Sequence, residues 1–154
     1  MLVKDIMNYG AVTIAPNDTL YDAIDLVNEM NIGRLLVMKK GKLVGIVTNR
    51  DLRRAAPSNA TTLEIHEMRP LLRKVKVSDI MTPKPVCVKQ LETLSEAAKI
   101  MYEKRISGLP VIDQANRLVG VLSNSDILRS MIDSKNQRRE QFNRPIRVSS
   151  YAKP

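Results

Sequence analysis

Aromatic side chains are almost missing from this sequence: one Phe, four Tyr and no Trp stand among 154 residues, or 3%. We therefore expect an interior built from Val, Ile, Leu, Met and Ala. Proteins that recognise single-stranded nucleic acid stack its bases on aromatic rings, so that class is disfavoured. The formal charge of +9 leaves nonspecific electrostatic binding of nucleic acid open.

Cysteine and histidine occur once each. One cysteine excludes an internal disulfide and fits a reducing compartment. Because no long apolar run and no signal-like segment appears, we expect a cytoplasmic protein with no membrane association. No histidine accompanies Cys87, so we expect a small strand residue there and not a nucleophile. His66 lies between Glu64 and Glu67 without a second His or Cys, so we expect a surface residue and no metal site.

One stretch is present twice, as Gly45–Asp51 and as Gly120–Asp126. Each copy is a glycine, a short apolar run, a hydroxyl residue, two polar residues and an aspartate. The pattern predicts a strand that ends at Thr48 or Ser123 and a helix that begins near Asp51 or Asp126. A hydroxyl and a carboxylate beside the unpaired N–H groups of a helix start suit a sugar diol next to a phosphate.

The duplication extends well beyond this motif. Val3–Met7 returns 74 residues later as Val77–Met81, and Asp18–Leu20 returns as Glu92–Leu94. Capping boxes, hairpin signals and helical spacing make each copy strand, helix, strand, hairpin turn, strand and helix. The predicted fold is α/β, with two pseudo-symmetric β-α-β-β-α repeats, each with a three-stranded sheet. We expect the two small sheets to pack against each other in one module, since helices would cover only one face of each.

The repeats set the domain boundaries. We expect repeat 1 at 1–56, a linker at 57–76 with a short helix before Pro70, repeat 2 at 77–134, and a basic, partly ordered tail at 135–154. The linker helix would pack Leu63, Ile65 and Met68. Six Lys and Arg face two acidic residues over Asp133–Pro154, so this end contributes +4 of the charge.

The two motifs, the repeated D-I-M opening and the segment Ile106–Val111 (I-S-G-L-P-V) resemble a tandem pair of CBS (cystathionine-β-synthase) domains, a Bateman module. The resemblance covers about residues 1–134. The run T-N-R-D-L-R followed by A-P-S further resembles stand-alone CBS pairs of the acetoin-utilisation type.

The resemblance implies a regulatory module without catalysis. Such modules bind AMP, ADP, ATP or S-adenosylmethionine in clefts between the repeats and need no cofactor. Asp51 and Asp126 would accept the ribose hydroxyls, and Thr48 and Ser123 would hold ribose or phosphate. Six residues would enclose the base: Thr13, Ile14, Ile32, Val86, Val88 and Ile106. The remaining candidates are phosphate-facing cations and their neighbours: Arg34, Arg50, Lys104, Arg105, Ser107 and Pro110.

The resemblance also implies a homodimer and an unknown regulated protein. The dimer would use apolar residues left over on the helix faces that bear Leu20, Ile24 and Val27, or Ile100 and Met101.

The two copies differ in their cations. Arg50 in the first motif is Ser125 in the second, and Lys104-Arg105 corresponds to Met30-Asn31. Arg34 stands where the second copy has Gly108, and Leu36 where it has Pro110. The two sites are therefore expected to be unequal.

Three alternatives stay open at this point. Each motif aspartate is also a suitable N-cap, with no ligand role. An enzyme is disfavoured because no nucleophile–base pair is evident and the carboxylates recur symmetrically. A nucleic-acid-associated regulatory protein would use the basic surface and tail.

Overall fold

The computed structural model describes residues 1–56, 67–133 and 147–148. They form two compact units, one of residues 12–56 and 67–84 with Val148, and one of residues 1–11 and 85–133 with Arg147. We call the first the Thr48 unit and the second the Ser123 unit. The first part of the predicted linker, 57–66, which includes Leu63, Ile65 and His66, and almost all of the predicted tail lie outside the described residues.

The Thr48 unit is a mixed sheet with helices. Its elements are β1 (Val12–Ile14), α1 (Leu20–Met30), β2 (Arg34–Lys39), β3 (Lys42–Thr48), α2 (Asn49–Ala55), α3 (Arg69–Leu72), α4 (Val77–Ile80), β4 (Thr82–Pro83) and the edge strand β8 (Arg147–Val148). The strand order is β4-β3-β2-β1-β8. β1 runs parallel to β2, and β2 pairs antiparallel with β3. Lys40 and Gly41 both have positive φ and form a two-residue turn within the segment Lys39–Lys42, whose sequence predicts a hairpin.

The Ser123 unit repeats this plan with fewer strands. It contains a 3₁₀ turn (Val3–Asp5), β5 (Val88–Lys89), α5 (Leu94–Lys104), β6 (Gly108–Ile112), β7 (Leu118–Ser123) and α6 (Asn124–Ile132). The strand order is β5-β6-β7, with β5 parallel to β6 and β6 antiparallel to β7. The mixed α/β fold with two small sheets is confirmed.

Capping explains where the long helices begin. Thr19 accepts a hydrogen bond from the Asp22 N–H, and Thr93 accepts one from the Glu96 N–H, as the capping-box pattern predicts. Both helices end at a residue in the left-handed conformation, Asn31 or Arg105. Further on, Met68 is buried as predicted, and α3 begins at Arg69 with Pro70 in its first turn, where proline is tolerated.

The opening segments of the two sequence copies are exchanged between the units. The second copy's opening, Val77–Pro83, belongs to the Thr48 unit, where Thr82 and Pro83 pair with Ile46 and Gly45. The first copy's opening belongs to the Ser123 unit, where Asn8 and Val121 exchange backbone hydrogen bonds of 2.8 and 2.9 Å. The exchange adds β4 to the sheet of the Thr48 unit, and the edge strand β8 makes five strands among the described residues, so the expectation of three strands is wrong for this unit.

The exchange accounts for the glycine that starts each motif. A Cβ on Gly120 would lie 2.6 Å from the carbonyl oxygen of Asn8. A Cβ on Gly45 would collide with the side chain of Met81. Each motif strand is thus crossed by an opening segment too closely for any side chain.

The helices cover one face of each sheet. In the Thr48 unit this side buries Ile14, Leu35, Val37 and Val47 against α1, and all four are 0% exposed. In the Ser123 unit the corresponding core holds Val3, Val88, Leu109, Val111 and Leu122. Because successive strand residues point to opposite faces, Thr13, Arg34, Leu36 and Thr48 lie on the face turned away from this core.

Candidate functional site

The end of β3 and the start of α2 are held by hydrogen bonds between Thr48 and Asp51. Thr48 Oγ1 accepts from the Asp51 N–H at 3.4 Å, and Asp51 Oδ2 accepts from the Thr48 N–H at 2.8 Å. The Thr48 hydroxyl also donates to Asp51 Oδ2 at 2.9 Å. The hydroxyl and the carboxylate are therefore fixed side by side at the strand's end.

The Ser123 unit repeats this arrangement bond for bond. Ser123 Oγ accepts from the Asp126 N–H at 3.2 Å, and Asp126 Oδ2 accepts from the Ser123 N–H at 2.8 Å and from the Ser123 hydroxyl at 2.7 Å. In both units the hydroxyl residue is the N-cap and the aspartate stands three residues on, inside the helix. The alternative in which the aspartate itself is the N-cap is therefore wrong. The aspartate still stabilises the start of the helix, because its side chain completes the capping box.

These hydrogen bonds involve only one of the two oxygens of each carboxylate. They engage Oδ2 of each aspartate, and no described residue donates to Oδ1 of Asp51 or Asp126. Both side chains are half-buried. Each aspartate therefore keeps one held oxygen and one oxygen that can accept hydrogen bonds from a ligand.

Strand register brings further predicted residues to the same place. Arg34 is the cross-strand partner of Thr48, and the Asn49 N–H donates to the carbonyl oxygen of Gly33 at 3.0 Å. The Thr48 unit therefore has Arg34 on the strand next to Thr48, which is hydrogen-bonded to Asp51. Arg50, the residue before Asp51 in α2, is exposed.

The Ser123 unit has the same register but lacks the arginine. Gly108 is the partner of Ser123, and the Asn124 N–H donates to the Ser107 carbonyl oxygen at 2.9 Å. Its predicted cations, Lys104 and Arg105, are exposed at the end of α5, three to four residues before Gly108. The candidate cation of the Thr48 unit at this position is therefore on a strand, β2, whereas those of the Ser123 unit are at the end of a helix, α5.

Thr13 contributes a buried hydroxyl on the face away from the helices. Thr13 is 2% exposed, and its Oγ1 has no hydrogen-bond partner among the described residues. Its strand partner on β2 is Leu36, whose partner on β3 is Ile46. Its counterpart Cys87 is half-buried and donates to the Pro85 carbonyl oxygen at 3.4 Å. Burial raises the pKa of the Cys87 thiol, which favours an unreactive strand residue.

The other predicted base-contacting residues fall in different surroundings. Ile14 and Val88 are 0% and 1% exposed inside the helix-covered cores, so only their backbone atoms are available to a ligand. Ile32 and Ile106 are half-buried against those cores. Val86 is 37% exposed, and Pro110 is buried opposite Val121.

Sequence reasoning missed the segments that cross the motif strands. The segment Met81–Pro83 lies along β3 at Gly45 and Ile46, shortly before Thr48. Asn8 lies along β7 at Val121, shortly before Ser123. The signal was the glycine at the start of each motif, which marks a close approach of another segment.

The described part of the chain has neither a candidate metal site nor a membrane-spanning helix. No group of three or more His, Cys, Asp and Glu there could hold a metal ion. No helix in that part of the chain is long and apolar enough to span a membrane.

Comparison with known proteins identifies the repeated unit. The sequence profile of the CBS domain matches residues 3–58 and 77–133. A CBS domain-containing protein of Dictyostelium discoideum is 38% identical over 133 residues, which cover 86% of this chain and 92% of that protein.

Solved structures show the same fold. The CBS domain pair of protein MJ0100, in complex with 5′-methylthioadenosine and S-adenosylmethionine, is 30% identical with a TM-score of 0.71, over 88% of this chain and 98% of that one. The Arabidopsis thaliana protein CBSX2 in complex with AMP is 29% identical with a TM-score of 0.69, over 88% and 98%. A Vibrio cholerae protein assigned to acetoin utilization is 27% identical with a TM-score of 0.70, over 87% and 92%.

Proposed function

Because this chain belongs to the CBS domain family and carries the domain twice, we propose that it is a regulatory module that binds an adenosine-containing ligand and catalyses no reaction. AMP, ADP, ATP and S-adenosylmethionine are the candidate ligands. Two of the similar structures support this class, since one holds AMP and the other holds S-adenosylmethionine with 5′-methylthioadenosine.

The observation that carries the proposal is the held aspartate of each unit. Hydrogen bonds from the strand-end residue fix Oδ2 of Asp51 and Asp126. In the proposed complex, Oδ1 accepts the vicinal hydroxyls of a ribose. A hydrogen bond to a charged group contributes about 1.5–3 kcal/mol, and a carboxylate that is already oriented loses little side-chain entropy on binding. Helix capping and ribose binding are compatible in this geometry because they use different oxygens.

The repeated geometry also weighs against catalysis. General acid–base catalysis divides the roles of proton donor and proton acceptor between two groups in different surroundings. Asp51 and Asp126 instead have matching partners, matching hydrogen bonds and matching burial. Symmetric carboxylates of this kind suit two binding sites of one class.

Arg34 makes the two sites unequal in the ligands they favour. Its side chain shares a sheet face with Thr48, whereas the Ser123 unit has only Gly108 at this position. We assign Arg34 to the phosphate of a nucleotide in the Thr48 unit, since guanidinium groups bind phosphate bidentately. The Ser123 unit relies on the exposed pair Lys104 and Arg105 for a phosphate.

We also propose a homodimer, on a different surface from the one predicted. Leu20, Val27 and Met101 are buried in their own cores, and Ile24 and Ile100 pack against those cores. The four most exposed large apolar side chains among the described residues lie instead on α6 and the end of α5: Leu128, Met131, Ile132 and Tyr102, which are 59%, 71%, 82% and 86% exposed. Apolar side chains exposed together are a feature of association surfaces.

A regulated partner protein and a cytoplasmic location stay predictions, and nothing in the comparisons supports the nucleic-acid alternative.

The experiment that tests the function is a ligand panel read by thermal unfolding. Ligands that bind the folded chain raise its melting temperature, by an amount that grows with concentration over Kd. We expect AMP, ADP, ATP or S-adenosylmethionine to do so, while guanosine and cytidine nucleotides do not. Equal shifts with every nucleotide would show that only phosphate attraction is at work. A mass spectrum of what co-purifies would name the natural ligand.

A further inference from the structure

A second group of cations lies on the helix side of the Thr48 unit. Tyr21, in the first turn of α1, is 6% exposed. Arg69 of α3 donates from Nη2 to the Tyr21 hydroxyl at 2.6 Å, and its guanidinium carbon is 4.6 Å from the ring centroid. The guanidinium carbon of Arg73 is 5.4 Å from the same centroid. We call Tyr21, Arg69 and Arg73 the Tyr21 cluster.

The cluster holds two positive charges close together, and no carboxylate of a described residue pairs with them. Both guanidinium groups contact one ring, so their central carbons are no more than about 10 Å apart. Among the described residues, neither arginine forms an ion pair with an Asp or Glu. Arg69 Nε is buried and has no acceptor in that part of the chain. Two neighbouring like charges repel each other, and an anion that both contact removes this cost.

The charge of the described residues is concentrated on this unit. Residues 12–56 and 67–84 hold twelve Lys and Arg against seven Asp and Glu, a surplus of five. Residues 1–11 and 85–133 hold seven of each. Lys74 and Lys76, both exposed, continue the positive surface beside Arg73. Such a field attracts multiply charged anions more strongly than singly charged ones.

The cluster is separate from the proposed ribose site of the same unit. Tyr21 packs in the core between the sheet and the helices, with Met68 and Leu72. Arg34 and Thr48 lie on the opposite face of that sheet. A ligand at the Tyr21 cluster therefore does not require a nucleotide at Asp51.

From these observations we propose that the Tyr21 cluster binds a phosphate group through the guanidinium groups of Arg69 and Arg73. Arginine matches this ligand because its planar fork of N–H donors pairs with two phosphate oxygens at once. The Tyr21 ring and hydroxyl hold the Arg69 guanidinium in place, so little side-chain freedom is lost on binding. The phosphate belongs either to a small anion such as pyrophosphate or to a phosphorylated side chain of a partner.

The test is thermal unfolding of the full chain in pyrophosphate, with sodium chloride at matched ionic strength as the reference. At a concentration about ten times Kd, pyrophosphate raises the melting temperature by about 3–6 °C. Arg73→Gln removes more than half of that shift. Lys74→Gln, which removes the same charge from the neighbouring exposed residue, keeps it. Tyr21→Phe, which removes only the acceptor of the Arg69 bond, reduces it.

The controls separate this site from the nucleotide proposal. Asp51→Ala lowers the melting temperature itself, because α2 loses its capping partner, but it leaves the shift caused by pyrophosphate unchanged, because the proposed ligand contact of Asp51 is to a ribose. Phosphoserine in place of pyrophosphate distinguishes the two sources: a larger shift with phosphoserine assigns the site to a phosphorylated partner, and a larger shift with pyrophosphate to a small anion. The proposal is overturned if Lys74→Gln and Arg73→Gln reduce the shift equally. It is also overturned if Arg73→Gln lowers the melting temperature by the same amount in chloride and pyrophosphate, since the arginines then only cover the ring.

Discussion

Arg34 and Thr48 are partners across the β2–β3 ladder, with both side chains on the sheet face turned away from the helices. In the Ser123 unit the same register pairs Gly108 with Ser123. The chain therefore presents two nearly identical hydroxyl–carboxylate pairs, only one of which has a guanidinium on the neighbouring strand.

Arg34→Ala should weaken nucleotide binding in proportion to phosphate content. We expect little change for adenosine, about a tenfold loss for AMP and a larger loss for ATP, because a charge-assisted hydrogen bond is removed. The loss should shrink as salt screens the charge. Calorimetric titration at two salt concentrations measures it. Arg53→Ala, an exposed arginine in the last turn of α2, is the matched control. A loss as large for adenosine as for ATP would contradict the phosphate role.

The motif glycines should differ in how badly they tolerate a methyl group. Gly120→Ala places Cβ against the backbone oxygen of Asn8, which cannot move alone, and should cost about 1–3 kcal/mol of the free energy of unfolding. Gly45→Ala meets the flexible end of Met81 and should cost less. Gly33→Ala meets nothing within 4 Å and should change stability by less than about 0.5 kcal/mol. Urea unfolding of the three variants gives the order, and a Gly120→Ala variant as stable as Gly33→Ala would refute the close crossing.

The sequence predicted those features that depend on residues close together in the chain, and it missed those that depend on contacts between distant segments. Thr19 with Asp22 and Thr93 with Glu96 start their helices as their spacing indicates, and the Lys40-Gly41 turn closes the expected hairpin. The partner of a two-residue strand such as Thr82–Pro83 is not encoded in its neighbours, so the exchange of opening segments could not be predicted. Alternation along β1 and β5 could have placed Ile14 and Val88 in the cores, but such short strands give too few residues to fix the face.

Asp113 should make part of the stability depend on acid pH. Hydrogen bonds from the backbone N–H groups of Arg117 and Ala115, and from the Arg117 side chain, hold the pKa of Asp113 below its ordinary value of 3.8, against the opposing effect of desolvation. A carboxyl with a lowered pKa in the folded state contributes stability above pH 3.8, which is lost as the pH falls through the folded value. Asp113→Asn should therefore flatten the decrease in stability between pH 5 and pH 2, measured by urea midpoints. An unchanged slope would contradict this role.

Association should depend on the apolar surface of α6. Light scattering at tens of micromolar should give twice the chain mass of 17.3 kDa. Leu128→Glu should return the mass to that of the monomer, because a charge cannot be buried unpaired in an apolar interface. Leu71→Glu is the matched control, since Leu71 and Leu128 are 57% and 59% exposed. A monomeric wild type, or equal effects of the two substitutions, would remove the proposed dimer surface.

The proposed ribose contacts of Asp51 and Asp126 are tested most directly by one measurement: calorimetric titration of adenosine and AMP into the wild type, Asp51→Ala and Asp126→Ala, each with its melting temperature recorded. Each substitution should lower the melting temperature, because the helix loses its capping partner. Each should also weaken binding at its own site roughly ten- to hundredfold, for adenosine as much as for AMP. Variants that melt early but bind both ligands as the wild type does would show that the aspartates only start their helices.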